Sequence, residues 1–234
     1  MSSIYFGNEF IIVKPSYKQT NEHKHNMLHL FVGNSVLSMN AGNETIVGRL
    51  IILDKNIVHR APDGDVKYFL FIDPTSHFAD KLKKHYINEY GFYSSEDDSL
   101  SSEKETSFDK IINILALFFG EDVFMKKAEC DPRILRMMEE IDTFKCVDKK
   151  VSDIAKEYGY SESYLTHLFK NETGIPLKNY MLMRQFEYAW TKISNGCKIT
   201  EAVTDAGFSS SSHFSDVCQK LTGISAMDVM KELS

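Results

Sequence analysis

The chain has 234 residues, of which 43% are hydrophobic and 26% are charged, and its formal net charge at pH 7 is −6. This length and apolar content suffice for one large or two small domains with buried cores, and we expect two. The acidic balance excludes a protein that coats nucleic acid by bulk charge, but it leaves room for a local basic face.

Membrane insertion and disulfide bonds are not expected. The longest apolar run, residues 111–120, is interrupted by Asn113 and is shorter than the roughly 18 residues that span a bilayer. No signal peptide is recognised ahead of the cysteines, which form no CxxC pair, so we expect reduced thiols and a cytoplasmic protein. The cysteines lie far apart, at Cys130, Cys146, Cys197 and Cys218.

The first part of the chain, from Phe10 to about Ile72, predicts β-structure. It consists of short β-branched and aromatic runs such as FIIVK, HLFVG, RLIIL and KYFLFI. Turn-forming residues separate these runs at Gly33-Asn34, at 40–43 and at Asp63-Gly64. Short strands at regular spacing predict an all-β barrel or sandwich.

A polar segment and an amphipathic helix follow this β-region. Residues 94–107 contain six serines and five acidic residues, so we expect a mobile linker there. Apolar residues then recur at helical spacing and form a wide stripe, which either packs on the protein's own barrel or forms a dimer seam. The stripe consists of Phe108, Ile111, Ile112, Leu115, Phe118 and Phe119.

From Asp131 onward the pattern is helical. Asp131-Pro132 predicts a helix start, and a short helix from Val151 then ends at Gly159. Ser161 is placed to cap the next helix, whose buried side includes Leu165 and Phe169. A helix, a glycine turn and a capped helix form the pattern of a helix-turn-helix.

This pattern occurs twice. Phe208-Ser209 matches Tyr160-Ser161 at an offset of 48 residues, and beyond the turn Leu165 matches Phe214 at an offset of 49. Between the copies, Tyr180, Leu182, Phe186, Ala189, Trp190 and Ile193 predict one long amphipathic helix that ends at Asn195-Gly196. Such a helix would hold two recognition helices about one duplex turn, roughly 34 Å, apart.

The segment from about Asp131 to Glu232 resembles the DNA-binding domain of the AraC family of transcription regulators. The resemblance rests on the paired motifs GYSESYLTHLFKNETG and GFSSSSHFS. It implies an all-α domain with two helix-turn-helix units, double-stranded DNA as the partner and a homodimer, with RNA polymerase as a further candidate partner. By analogy, the DNA-contacting positions are Ser163, Thr166, His167 and Lys170 in the first unit, and Ser211, Ser212, Ser215 and Asp216 in the second.

Charge sets the second copy apart from the family pattern. The family commonly has a basic residue where this chain has Asp216. Residues 131–234 carry 13 Lys and Arg against 15 Asp and Glu, a balance of −2. Because phosphate neutralisation supplies most non-specific affinity, we expect weak DNA binding with a shallow salt dependence unless dimerisation adds contacts.

Four histidines cluster in the first part of the chain. The HxH spacing and the later Gly48…His59 segment resemble the cupin pattern, which implies a cupin-like barrel. Imidazoles in this number could bind a divalent metal, although AraC-type regulators commonly keep this wording without one. The candidate ligands are His23, His25, His29 and His59.

The sequence therefore predicts two domains and a non-enzymatic function. We expect a cupin-like sensor at 1–90, a flexible linker with an amphipathic helix at 91–130, and a double helix-turn-helix domain at 131–234. The leading hypothesis is a sequence-specific transcription regulator whose first domain senses a small effector or mediates dimerisation. The alternatives are a cupin metalloprotein or metalloenzyme with a helical appendage, and a regulator that acts through protein partners with weak DNA binding.

Overall fold

A computed structural model describes residues 4–7, 9–14, 22–24, 26–102, 107–124, 130–146, 149–222 and 226. The chain divides into two compact units, one formed by residues 1–126 with 220–234 and the other by residues 127–219. The first unit is built on a β-sheet and the second is helical, as the sequence predicts. No helix in these described ranges has both the length and the apolar character needed to cross a membrane.

The first unit contains a six-stranded antiparallel sheet. Its strands are β1 (Ile4–Phe6), β2 (Phe10–Val13), β3 (Leu28–Ala41), β4 (Glu44–Leu53), β5 (Val66–Ile72) and β6 (Phe92–Ser95). Their order across the sheet is β1-β2-β5-β3-β4-β6, and the two edge strands do not pair within the described residues. The sheet-rich domain is therefore confirmed, whereas the closed cupin-like barrel is not.

One predicted turn is a bulge inside a long strand. The sequence places a turn at Gly33-Asn34, but β3 continues through it, and its register shifts between Val32 and Leu37. Gly33 is needed there because a Cβ atom at this position would collide with the carbonyl oxygen of Ser35. The local glycine serves close backbone approach rather than chain reversal.

Two helices cover one face of the sheet. Helix α1 (His77–His85) and helix α2 (Phe108–Phe119) are followed by a short 3-10 helix (Glu121–Phe124). Leu30, Leu70 and Ile111 are fully buried in one apolar cluster to which both helices contribute. The stripe on α2 thus packs on its own sheet, which is one of the two roles expected for it.

The segment expected to be a mobile linker is partly ordered. It begins inside β6, and Leu100 is 1% exposed and belongs to the same apolar cluster. The Tyr68 hydroxyl donates to the Leu100 carbonyl at 3.0 Å, and Lys67 Nζ donates to the Ser101 carbonyl at 2.8 Å. Residues 94–102 are therefore attached to the first unit by one apolar anchor and two hydrogen bonds, although their composition is polar.

The second unit consists of helices joined by short turns, and the last of these helices runs three residues past the unit's boundary at 219. They are α3 (Pro132–Asp142), α4 (Val151–Glu157), α5 (Glu162–Thr173), α6 (Leu177–Ser194), α7 (Ile199–Asp205) and α8 (Ser211–Thr222). The predicted helix start at Asp131 is confirmed, because its carboxylate accepts from the Arg133 N–H at 2.9 Å with Pro132 in the first turn. From α4 to α8, the helices therefore occur in the order short helix, recognition helix, long helix, short helix, recognition helix.

Candidate nucleic-acid interface

The first helix-turn-helix unit is formed by α4 and α5. Gly159 has φ 70°, a left-handed conformation that favours glycine. Its N–H donates to the Lys156 carbonyl at 3.0 Å, and the Tyr160 N–H donates to the Ala155 carbonyl at 2.8 Å, which closes α4. The Ser161 hydroxyl accepts from the Tyr164 N–H at 3.2 Å and so starts α5.

The second unit, formed by α7 and α8, repeats these hydrogen bonds. Gly207 has φ 81°, and its N–H donates to the Thr204 carbonyl at 2.9 Å. The Phe208 N–H donates to the Val203 carbonyl at 3.1 Å. Both short helices therefore end in the same glycine-closed motif, so the sequence repeat corresponds to a structural one.

The cap of the second recognition helix lies one residue later than the alignment of the two sequence copies predicts. The hydroxyl that accepts from the His213 N–H, at 3.0 Å, belongs to Ser210 and not to Ser209. Ser210 is therefore the equivalent of Ser161, and the extra residue of the second copy lies between Phe208 and this cap. Among adjacent serines, only the hydrogen bond identifies the residue that caps the helix.

The long helix α6 connects the two units through aromatic contacts. Tyr180 packs on Phe169 of α5 with ring centroids 5.4 Å apart. At the other end, Phe186 and Trp190 pack on Phe214 of α8 at 5.8 and 5.3 Å. Each recognition helix thus rests on the same central helix by a fully buried aromatic ring. This arrangement supports both units from one scaffold.

A partly buried ion-pair network centred on Arg184 links α6 to α3. The Tyr180 hydroxyl donates to Asp142 Oδ1 at 2.5 Å, and Arg184 Nε lies 3.6 Å from the same oxygen. Arg184 Nη1 also donates to Glu187 at 2.6 Å. Because the Arg184 side chain is only 7% exposed, removing one partner would leave a buried charge with fewer partners.

On α5, the predicted contact residues share one outer face. Ser163, His167 and Lys170 are exposed, and Thr166 is half-buried between them. The Thr166 hydroxyl donates to the Glu162 carbonyl at 2.7 Å, so its proton is used within the helix. Lys170 supplies a positive charge to this face. The face therefore offers a hydroxyl, an imidazole and an ammonium group.

On α8, the predicted residues also lie on the outer side. Ser211, Ser212 and Asp216 are exposed, and Ser215 is half-buried. Counted from the caps, Asp216 occupies the position of His167 on α5. This face therefore combines three hydroxyl groups with one carboxylate. The structure places all eight predicted residues on the two recognition helices and leaves their DNA contacts as a prediction.

Sequence reasoning missed an exposed ring at the start of each recognition helix. Tyr164, 47% exposed, packs on Tyr160 of the preceding turn with centroids 5.1 Å apart. His213, also exposed, packs on Phe208 of the equivalent turn at 5.3 Å. Each ring is three residues beyond the residue that caps its helix. This equivalence is visible only when Ser210, and not Ser209, is taken as the cap of α8.

Arg133 lies beside the first of these ring pairs but is already paired. It donates to both carboxylate oxygens of Asp131 and, through Nη1, to the Tyr160 hydroxyl at 3.3 Å. Its side-chain hydrogen bonds hold the pKa of Asp131 down to about 2. This arginine adds little free positive charge near α5, because its guanidinium group is neutralised locally.

Three of the four candidate metal ligands come together in the first unit. The ring of His59 lies 4.6 Å from that of His23 and 4.7 Å from that of His29, while His25 is outside the described residues. Burial lowers the pKa of His59 to about 4, and its Nδ1 lies 2.8 Å from the Ile57 carbonyl. Within the described ranges, no three His, Cys, Asp or Glu side chains are arranged to hold a metal ion.

The chain is similar to known proteins at the level of domain and fold. A family model described as a helix-turn-helix domain matches residues 154–232. No curated protein matches the chain significantly. Among solved structures, ToxT from Vibrio cholerae is 14% identical, with a TM-score of 0.55 over 97% of this chain and 99% of that one.

Two further structures are similar over different lengths. ToxT from Vibrio cholerae strain SCE256 with an unsaturated fatty acid bound is 15% identical, with a TM-score of 0.52 over 96% of this chain and 93% of that one. The C-terminal domain of AraT, a response regulator from Geobacillus stearothermophilus, is 22% identical over 44% of this chain and 88% of that one, with a TM-score of 0.41.

The two glycine-closed units on one central helix, together with the family match over residues 154–232, define a helix-turn-helix domain. The chain carries an AraC-type helix-turn-helix domain at its C-terminus, and its structural neighbours are AraC-family regulators.

Proposed function

We propose that the protein binds specific DNA sequences through the outer faces of both α5 and α8. The observation that carries this proposal is the repeat itself, in which two separately capped recognition helices rest on one central helix through Tyr180 and Phe214. Their outer faces remain exposed and polar, and an α-helix fits the major groove of DNA. Polar faces of this kind serve contact with base edges and phosphates rather than packing.

The two helices would make different contacts. On α5, His167 and Ser163 face the position of the base edges, and Lys170 is suited to a phosphate. On α8, the serine hydroxyls accept or donate hydrogen bonds and discriminate weakly between bases. Asp216 accepts hydrogen bonds only, so a cytosine amino group is the base donor that suits it. We expect the first unit to supply most of the specificity.

Selection from a randomised duplex library with the purified full chain tests this proposal. Recovered duplexes should share a motif, and a fluorescence titration should show a Kd at least about tenfold below that for a scrambled duplex of equal length. Replacing Ser163, His167 and Lys170 together by alanine should abolish this preference. Lys84→Ala on α1 is the matched control, because Lys84 is exposed in the first unit.

The absence of a shared motif, together with equal affinity for the recovered and the scrambled duplex at low salt, would contradict the proposal. Retained specificity in the triple variant would mean that another surface of the protein recognises the DNA sequence.

For the first unit we propose a cupin-like domain that senses a small, largely apolar effector and also supports homodimer formation. The sheet also carries buried rings that do not belong to the apolar cluster beneath α1 and α2, namely those of Phe31, Phe69 and Phe71. The His29 ring is stacked on Phe31 at 5.2 Å. A face of aromatic rings with one imidazole group resembles the lining of small-molecule sites. The solved ToxT structure with an unsaturated fatty acid bound supports the choice of a first probe.

Titration with an unsaturated fatty acid tests the sensor proposal. Binding should raise the thermal midpoint of the protein and shift its affinity for the selected duplex, because an effector must bind two states differently. His29→Gln should weaken both effects, whereas His85→Gln on the surface of α1 should not. Sedimentation velocity with and without the fatty acid measures the dimer.

Divalent metal binding is the second candidate for this unit. The close approach of His23, His29 and His59 favours it, and His25 would supply a fourth imidazole. Elemental analysis of untagged protein should then find one zinc or another first-row metal per chain, lost in His59→Gln. Metal below a tenth of stoichiometry after dialysis against zinc would dismiss the candidate.

A regulator that works through protein partners, RNA polymerase included, is the third candidate. The balance of −2 in residues 131–234 and the carboxylate of Asp216 favour it. If DNA contact by α8 is irrelevant, Asp216→Arg should leave regulation of a reporter unchanged. A changed affinity or site preference in this variant would favour direct reading. A cytoplasmic location fits either mode of action.

A further inference from the structure

The strongest unassigned feature of the DNA-binding unit is the side chain of His213. It stands on the exposed first turn of α8, beside the proposed contact residues Ser212 and Asp216. Its equivalent on α5 is Tyr164, and each ring is supported by an aromatic residue of the preceding turn. A side chain that is both exposed and held in place is suited to contact rather than to core packing.

The contacts of His213 orient its ring. The Ser209 hydroxyl lies 3.2 Å from Nδ1, and the ring meets Phe208 edge to face at an interplanar angle of 73°. Because Nδ1 is engaged by Ser209, Nε2 is the nitrogen that can meet a ligand. With the hydroxyl donating to Nδ1, the neutral ring carries its proton on Nε2, and the imidazolium ion carries a proton there too. Nε2 therefore donates in the imidazolium ion, and it donates in the neutral ring when the Ser209 hydroxyl is the donor to Nδ1.

The charged groups near His213 are compatible with a protonated imidazole ring. Asp216, one turn further along α8, is the acidic group on the same face, and among the described residues His213 itself forms no ion pair. Two ion pairs lie on α6 and α7, and Glu201 of α7 is a further acidic group that is exposed to solvent. Asp205 of α7 pairs with Lys192 of α6, and Arg184 of α6 pairs with Glu187.

A positive charge on His213 would affect DNA affinity, because the predicted contact residues on the outer faces of α5 and α8 carry no net charge. Among the eight predicted contact residues, Lys170 contributes +1 and Asp216 contributes −1, for a sum of zero. Protonation of His167 and His213 would raise the charge of the two faces to +2. Histidine is the side chain whose charge ordinarily changes between pH 5 and 8, and DNA affinity follows the number of phosphates neutralised.

We propose that His213 is a DNA-contacting residue that donates from Nε2 to a phosphate oxygen or a purine acceptor, and that its protonation strengthens DNA binding as the pH falls. This inference rests on the proposed function, since it needs α8 to face DNA. It assigns the second unit a proton-dependent contact where the first unit has the hydroxyl of Tyr164. Ser209 and Phe208 act as positioning residues, because they hold the ring without meeting the ligand.

The test uses the full chain carrying His167→Gln, so that His213 is the histidine left on the outer faces of α5 and α8. The probe is the duplex recovered by selection with the unmodified protein. Its Kd, measured by fluorescence anisotropy, should be about three- to tenfold lower at about pH 6 than at about pH 7.5. Adding His213→Gln should remove this dependence and weaken binding at the lower pH. Adding His85→Gln, which removes an exposed histidine of the first unit, should preserve it.

Ser209→Ala provides a second variant that keeps the imidazole group and releases its Nδ1 partner. It should reduce the gain at low pH, and it remains informative if His213→Gln does not fold, as judged by Trp190 fluorescence. An undiminished pH dependence after His213→Gln, or none in the His167→Gln protein, overturns the inference. Failure of the unmodified protein to prefer the selected duplex at either pH overturns the proposed function instead, so the two failures are distinguishable.

Discussion

At equivalent places on their recognition helices, the first unit presents His167 and Lys170, whereas the second presents Asp216 and Gln219. The glycine-closed turns and the serine caps are repeated in both units. Selection on folding constrains backbone hydrogen bonds and caps, because every helix end must satisfy its polar groups. The outer faces are free of that constraint and can therefore differ between the two units.

The cores beneath these faces also differ. Phe169 of α5 and Cys218 of α8 occupy equivalent positions, and both are fully buried. Phe169 of α5 packs on one ring of α6, Tyr180, whereas the buried ring of α8, Phe214, packs on two, Phe186 and Trp190. The two units therefore reach a similar fold with different distributions of apolar volume.

The largest expected effect tests this difference in the cores. Phe169→Ala should lower the free energy of unfolding by about 3–5 kcal/mol, because it removes a buried ring and leaves a cavity. Cys218→Ala should cost about 1 kcal/mol, since it removes a single sulfur atom. Urea unfolding followed by fluorescence of Trp190, the only tryptophan of the chain, measures both. Equal losses would show that the two cores are interchangeable.

The second prediction concerns charge on the outer faces. Lys170→Gln should weaken binding to any duplex several-fold and make the plot of log K against log salt shallower by about one. Asp216→Lys should strengthen binding and steepen the same plot, because a repelling carboxylate becomes a phosphate contact. Salt titrations with the selected and a scrambled duplex measure these slopes.

Asp216→Asn is the matched control for the second unit, since it removes the negative charge without adding a positive one. Its effect should fall between those of the native residue and lysine. A Lys variant that binds no better than the native protein would mean that α8 does not approach the DNA backbone.

The parts of the fold that were predictable depend on local rules. The glycine turns, the Asp131 and Ser161 caps and the helix that links the two units follow from spacing and capping preferences, which act within a few residues. Repetition strengthened this prediction, because the same local pattern occurred twice, at an offset of 48 residues that becomes 49 beyond the turn. The positions of the candidate site came from the resemblance to the AraC family, and in the structure they are exposed or half-buried on the two helices.

The errors arose where distant residues decide the conformation. Gly33 reads as a turn, yet pairing with β4 and β5 carries β3 through it as a bulge. Leu100 sits in a serine-rich acidic segment that composition assigns to a linker, yet one leucine and the Tyr68 hydroxyl attach it to the sheet. Composition averages over a segment, whereas a single anchor determines its position.

The register of the second cap is the remaining error, and it concerns the site directly. Residues 209–212 are all serine, so the sequence cannot show which hydroxyl accepts the helical N–H. Placing the cap at Ser210 aligns His213 with Tyr164, which the sequence alignment did not reveal. The comparison between the two units therefore depends on this one hydrogen bond.

The smallest expected effect tests that hydrogen bond. Ser161→Ala and Ser210→Ala should each lower the free energy of unfolding by about 1 kcal/mol, because each removes the acceptor of a helical N–H. Ser209→Ala is the control in the adjacent position. It should cost clearly less, since the Ser209 hydroxyl contacts the imidazole of His213 and, within the part of the chain that the structure describes, no backbone group. Urea titrations monitored by Trp190 fluorescence compare the three variants. A larger loss for Ser209→Ala than for Ser210→Ala would restore the alignment in which Ser209 is the cap, and the equivalence of His213 and Tyr164 would then be lost.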